Sequence, residues 1–307
     1  MMDERELTRR FFGIPHPDPL AKARARARLD ERMRRGPRRG SLAVAAAVIV
    51  GIIGTTLIWS VTRPNPAAAE SLRDLAAIRL TGLEPGSDQY LHRTSTELRT
   101  EVSHLLDGGE LRVQVLLSMD LWIAADGSGE RRSVVEEVRF ATDADEAAWS
   151  EPGAPPPPHV GDVRRDTFGP GEGPYVPTGD VPTDPHELLD SLRSGRIAGR
   201  GVGDAGVFAL IGDLLAQGNL PQETRASLLE ASGRLDGIRL LGSVNDPIGR
   251  PGQGYAVRTG NDETRLVFDP GTGELLAREH YMPDTSGTWH LVGWEAFTSA
   301  SIVSELA

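Results

Sequence analysis

Ser41 to Val61 runs for 21 positions without a charged side chain, SLAVAAAVIVGIIGTTLIWSV, with Arg38 and Arg39 before it and Arg63 after it. A hydrocarbon core about 30 Å thick is crossed by about 20 apolar helical residues. Inside lipid, every backbone N–H and C=O must bond within the segment, so this run is predicted to be a single transmembrane helix. Ser41, Leu42, Val48, Gly51, Leu57, Trp59 and Val61 mark its course. The span divides the chain into a tail (1–40), the helix itself (41–61), a tether (62–69) and a large body (70–307).

Charge gives the orientation. Residues 1–40 carry twelve Lys and Arg against six Asp and Glu, whereas residues 62–307 carry 21 against 38. The tail is therefore +6 and the rest −17, an asymmetry that the whole-chain balance of −11 conceals. Positive residues beside a span stay on the cytoplasmic side. The expectation is a single-pass plasma-membrane protein with a cytoplasmic N-terminus and an extracytoplasmic C-terminal domain. Ala67-Ala68-Ala69 fits a small-residue cleavage site, but the apolar run exceeds the 7–15 residues usual in a signal peptide, which favours a retained anchor. The chain has no cysteine, so it forms no disulfide and carries no lipidated thiol. Ala43, Ala47, Gly51 and Thr55 recur every fourth residue, the spacing at which small side chains let two helices approach as a homodimer.

The tail offers a basic flank to the anionic heads of the lipid bilayer. A second use is docking to a cytoplasmic regulatory protein, with Leu29 and Met33 one helical turn apart as anchors. Asp30 and Glu31 interrupt its arginines and no aromatic lies among them, so no nucleic acid is expected as a partner.

The body reads as α+β. A helix is expected near 68–80. Strands follow at Gln89–Val102, Leu111–Ala124 and Glu130–Thr142, joined by Asp107-Gly108-Gly109 and by Asp126-Gly127, the dipeptide of tight hairpins. Ten of 22 prolines then fall in 151–185, predicting a mobile insertion with neither helix nor interior strand. Asp184-Pro185-His186-Glu187 opens a helix, with Asp as cap, Pro at the first position and Glu at the third. Further helices are predicted at Asp204–Gln217 and Pro221–Leu235. Five strands close the chain: Ile238–Val244, Gly254–Thr259, Thr264–Phe268, Leu275–Tyr281 and Thr288–Phe297. Strands grouped apart from helices indicate one antiparallel sheet packed on a helical layer.

Catalytic chemistry is not visible. Gly201, Gly203 and Gly206 match G-x-G-x-x-G, but the residues before them form no buried strand. His186-Glu187-Leu188-Leu189-Asp190 lacks the second imidazole of a zinc protease helix. Asp143, Asp145 and Glu146 lack calcium-loop spacing and read as a solvated run. His280 and His290 are placed across the last hairpin from each other. No nucleophile, base and orienting group assemble, so an enzyme, a metal site and a cofactor are not expected.

The stretch GIRLLGSVNDPIGRPGQGYAVRTGNDETRLVFDPGTGELLARE, with ERELTRRFFG, ARARLDERM and DLWIAADGSGERR, resembles a family of actinobacterial single-pass membrane proteins of unknown function. The matching positions are Asp246, Gly249, Arg250 and Gly252, then Phe268, Asp269, Pro270, Thr272 and Gly273, with Asp126 and Gly127 in the earlier strand pair. The outer domain of that family is similar to lipoprotein-carrier and sigma-regulator sensor domains, in which a curved antiparallel sheet wraps helices and holds acyl chains. The resemblance implies envelope signalling beside a sigma factor. It brings no catalytic residues, and the matched Gly and Asp positions are turn formers. The expected function is extracytoplasmic sensing or binding; the alternative is an anchored carrier with an apolar ligand, and an outward-facing hydrolase trails both.

Overall fold

A computed structural model describes residues 65–79, 83–104, 110–140, 142–150, 156–170, 181–197, 203–284 and 286–305. The tail 1–40 and the apolar run Ser41–Val61, with its Ala43, Ala47, Gly51 and Thr55 repeat, lie outside the described residues. Among the described residues no helix is long and apolar enough to cross a membrane.

The first helix, α1, spans Pro66–Ala77. Asn65 caps it through its side-chain oxygen, and Pro66 supplies the preset φ of a first helical residue. This corrects the expected tether: Pro66–Ala69 belong to the helix, and Ala68 is buried. Leu72, Leu75 and Ala76 complete its buried stripe.

Three antiparallel strands follow, β1 (Tyr90–His104), β2 (Glu110–Ala124) and β3 (Gly129–Arg139). Next comes a short helix, α2, at Asp143–Trp149. Thr142 caps α2, and Asp143, Asp145 and Glu146 occupy its first turn, where negative charge complements the exposed N–H groups. The run is solvated as expected, with Asp143 and Glu146 exposed, but it also starts a helix that buries Trp149.

Residues 151–185 also depart from expectation. Strand β4 forms at Val163–Phe168 and pairs with β3, Gly129 opposite Phe168 and Val134 opposite Val163. The reason is local: no proline stands between Pro158 and Pro170, so the intervening backbone keeps its donors. Three helices come next, α3 (Pro185–Ser194), α4 (Asp204–Leu215) and α5 (Gln222–Ser232). Asp184 caps α3 by accepting from the His186 and Glu187 amides at 2.9 Å. The remaining strands are β5 (Arg239–Asn245), β6 (Pro251–Thr259), β7 (Asp262–Phe268), β8 (Leu275–Pro283) and β9 (Trp289–Val303).

All nine described strands form one open antiparallel sheet in the order β4-β3-β2-β1-β9-β8-β7-β6-β5. The last strand pairs with the first, closing each run of hairpins against the other. Besides a small cluster of Val267, Leu276, Ala277 and Ala296 on β7, β8 and β9, two larger apolar cores result. The larger lies between α1, α3, α4 and α5 and strands β6 and β7, around Phe208, Ile211, Leu228, Tyr255 and Leu266. The smaller joins Leu111, Val113, Val115 and Leu117 of β2 to Val135 and Trp149.

The borders of the sheet differ. On β4, Arg164 bonds Asp166, Arg165 bonds Glu130 of β3, and Arg131 of β3 bonds Asp166. On β5 the register slips between Leu240 and Gly242, and Gly242 takes φ +77°.

Candidate functional site

Strand alternation puts Arg93, Ser95 and Glu97 of β1 on one face of the sheet, along with Met119 and Leu121 of β2. A β-bulge in the β1–β9 pair, between Thr94 and Ser95, sets Phe297 opposite Ser95 and Glu295 opposite Glu97. Register then builds rungs across the sheet. Arg131, Leu121 and Arg93 form one, and Met119, Ser95 and Phe297 the next. The third rung runs Leu117, Glu97, Glu295 and Arg278.

Over these rungs lie Leu192 near the end of α3, Ile197 beyond it, and Leu210, Asp213 and Leu214 of α4. Floor and roof enclose a cleft of about 410 Å³, within the roughly 300–1,000 Å³ of small-molecule sites. It occupies the seam between the cores: Met119 packs on the smaller one, and Leu192, Leu214 and Leu210 belong to or pack on the larger.

Its electrostatics are balanced but strained. Arg278 donates to Asp213 on the roof and to Glu295 on the floor, an ion bridge between α4 and the sheet. Ser95 Oγ donates to the other Glu295 oxygen at 2.9 Å. Arg131 donates to Asp166 at 2.9 Å. Arg93 is buried, its guanidinium 4.6 Å from the Phe297 ring centroid. The turn after α4 closes down on it: Gly218 has φ +76°, and a Cβ there would lie 3.0 Å from Arg93 Cδ and Nε. Glu97 has no hydrogen-bond partner among the described residues. Burial, then the facing Glu295 carboxylate, push the Glu97 carboxyl above its ordinary range.

A second charged cluster serves packing. Fully buried Glu263 accepts from Arg239, Arg258 and Arg265 at 2.5–2.6 Å. Burial pushes its carboxyl up, but the Arg265 and Arg258 bonds outweigh that and hold it low. Arg258 stacks 3.8 Å from the centroid of Trp289, and Arg265 stacks 3.7 Å from that of Tyr281.

The residues singled out in the sequence lie at strand ends, away from the cleft. Asp126 accepts from the Ser128 amide at 2.9 Å in the β2–β3 turn, and Gly127 takes φ +81°. Asp246 accepts from the Ile248 and Arg250 amides and from Arg250 Nε, with Gly249 at φ +93°. Arg250 does more than shape that turn. It donates to the carbonyls of Phe297 at 2.6 Å and Leu276 at 2.8 Å, bracing the strand whose Phe297 side chain lines the cleft. Asp269 accepts from the Gly271 and Thr272 amides, so Pro270 and Thr272 sit inside one Asx-type turn. Gly273 closes it at φ +71°. Register also separates two histidines expected to face each other. Met282 stands opposite His290, His280 opposite Gly293, and a bulge lies between. Each binds its own aspartate, His280 to Asp262 at 3.0 Å and His290 to Asp284 at 2.9 Å. Among the described residues no cluster of three or more His, Asp or Glu could hold a metal ion.

The cleft residues carry no motif. They come from five strands and two helices.

No family model matches the chain, and no curated protein does. Several solved structures resemble it. One is the MucA/MucB complex of Pseudomonas aeruginosa, at 16% identity and TM-score 0.27, covering 78% of this chain and 59% of that one. MucB in complex with the periplasmic part of MucA follows at 14% identity and TM-score 0.28, with 78% and 56% covered. MucB alone gives 14%, 0.28, 77% and 59%. The chain thus spans under two thirds of the chains it matches. At these scores the superpositions transfer no residue role, ligand or partner.

Proposed function

We propose that this protein is a membrane-anchored extracytoplasmic sensing module, which receives a ligand in the cleft between sheet and helices and relays its occupancy through the span to residues 1–40. The observation that carries the reading is the cleft itself. It has an apolar strip of Met119, Leu121, Leu210, Leu214 and Phe297 beside charged side chains. Such a site binds by burying an apolar group while fixed polar groups orient it. In this reading the protein acts by recognition. The Ser41–Val61 run and the charge asymmetry across it support the anchor. They also support a cytoplasmic regulatory protein as the partner of the tail.

The test is a response assay in the native cell. Filling the cleft by Leu121→Trp and deleting residues 1–36 should each abolish an envelope-stress transcriptional response, while the body stays exposed at the cell surface. A response that survives both changes ends the sensing reading. The apolar strip also favours a second reading, an anchored carrier of acyl groups. A carrier would lose ligand transfer between membranes on Leu121→Trp but keep it after the tail is deleted.

A further inference from the structure

Glu97 and Glu295 stand directly opposite each other across β1 and β9, on the floor of the cleft. Like charges at a directly opposed cross-strand pair destabilise a sheet. Glu295 is well supplied, accepting from Ser95 and from Arg278. Glu97 is not, and it sits half-buried opposite Leu117, one rung from Met119.

The charged groups around Glu97 come from every element near it. Arg99 on its own strand is turned to Glu101, which accepts from it at 2.6 Å. Arg131 of β3 is engaged by Asp166, and Arg278 of β8 by Glu295 and Asp213. Arg93 lies over Phe297. The cleft lining therefore counts three arginines (93, 131 and 278) against three carboxylates (97, 213 and 295). Asp166, just outside the lining, pairs with Arg131, so with Glu97 ionised these groups carry one negative charge in excess, and with Glu97 protonated they balance, beside an apolar strip.

We propose that the Glu97–Glu295 pair makes cleft occupancy proton-linked: the cleft takes up an apolar ligand with an anionic head together with one proton on Glu97. This deepens the sensing reading and rests on it, since the same cleft is involved. A proton removes the repulsion between the paired strands and lets Glu97 donate a hydrogen bond to the incoming anion. It also removes the one excess negative charge that an anionic head would meet. Occupancy would then report acidity and ligand together. The elevated proton affinity of Glu97 in the empty cleft agrees with this.

The test uses the full chain in nanodiscs with 1-anilinonaphthalene-8-sulfonate, an apolar probe whose sulfonate stays ionised throughout. Fluorescence of the Leu121→Trp variant serves as the baseline for partition into lipid. Linkage to one proton allows up to about tenfold in affinity per pH unit. The wild type should bind about three- to tenfold tighter at pH 5 than at pH 8. Glu97→Gln should bind at the tighter level at both values. Acid-induced loosening would instead raise binding in Glu97→Gln as well, and that result overturns the proposal. A flat wild-type profile above the Leu121→Trp baseline overturns the proton linkage alone. Binding no stronger than that baseline at either pH overturns the cleft reading with it.

Discussion

The two halves of the sheet are covered very differently. Strands β6 and β7 lie under α1, α3, α4 and α5, with Phe208, Ile211, Leu228 and Tyr255 fully buried between them. Strands β2 and β3 carry their own core, centred on Val113, Val115 and Leu117, with α2 contributing Trp149. One sheet thus supports two cores, and the cleft is the place where neither fills the space. Binding sites at seams cost less stability than sites dug into a core, because the apolar contacts on each side remain complete.

This contrast can be broken by mutation. Phe208→Ala should cost about 4 kcal/mol, as expected for a large aromatic removed from a closed core. Leu117→Ala in the smaller core should cost about 2–3 kcal/mol, since a buried Leu loses fewer atoms than Phe on truncation. Urea denaturation reads both, and equal losses would show that the smaller core is packed as tightly as the larger.

Arg250→Ala should follow at about 3 kcal/mol, since it leaves buried Asp246 without its charge partner and frees two carbonyls. It should also loosen β9 near Phe297, seen as faster amide exchange there; unchanged exchange would mean the brace is redundant. Gly273→Ala should cost about 1–2 kcal/mol for the left-handed backbone alone. It should cost more in practice, since a Cβ would lie 2.5 Å from Arg225 Nη2. A neutral result by thermal melting would mean that the turn rearranges freely.

The smallest effect is the most diagnostic for the seam. Glu97 is held above its ordinary value of 4.5, chiefly by burial and then by Glu295. Its folded state prefers the protonated form, so its contribution is fully present below about pH 4.5 and is lost as pH rises through the raised value. Glu97→Gln should therefore raise Tm at pH 7 and leave it unchanged at pH 4. A shift of the same size at both values would show that packing, not ionisation, is responsible.

Much of this arrangement was legible in the residues. The Asp184-Pro185 start of α3, the five closing strands and the grouping of helices apart from strands all follow from caps, turns and periodicity. Strand β4 did not, because a proline count over 35 positions hides a proline-free stretch inside it. Nor did α2, where an acidic triplet resembles solvent-facing sequence until Thr142 is recognised as its cap. The cleft was least legible. Phe297 and Glu295 reach it through a bulge that adds Thr298 to β9, and an inserted residue resets which side chains share a face. Arg278, which bridges the roof to that floor, is marked by no local pattern.

An open sheet of nine strands ends in two unpaired borders, and each is a template on which a stray strand could extend the array. At β4 an incoming chain would meet interlocked guanidinium and carboxylate groups. At β5 it would meet a kink that misaligns its donors and acceptors. Both borders thus discourage runaway self-association, a useful property for a domain lacking any disulfide to hold it in shape.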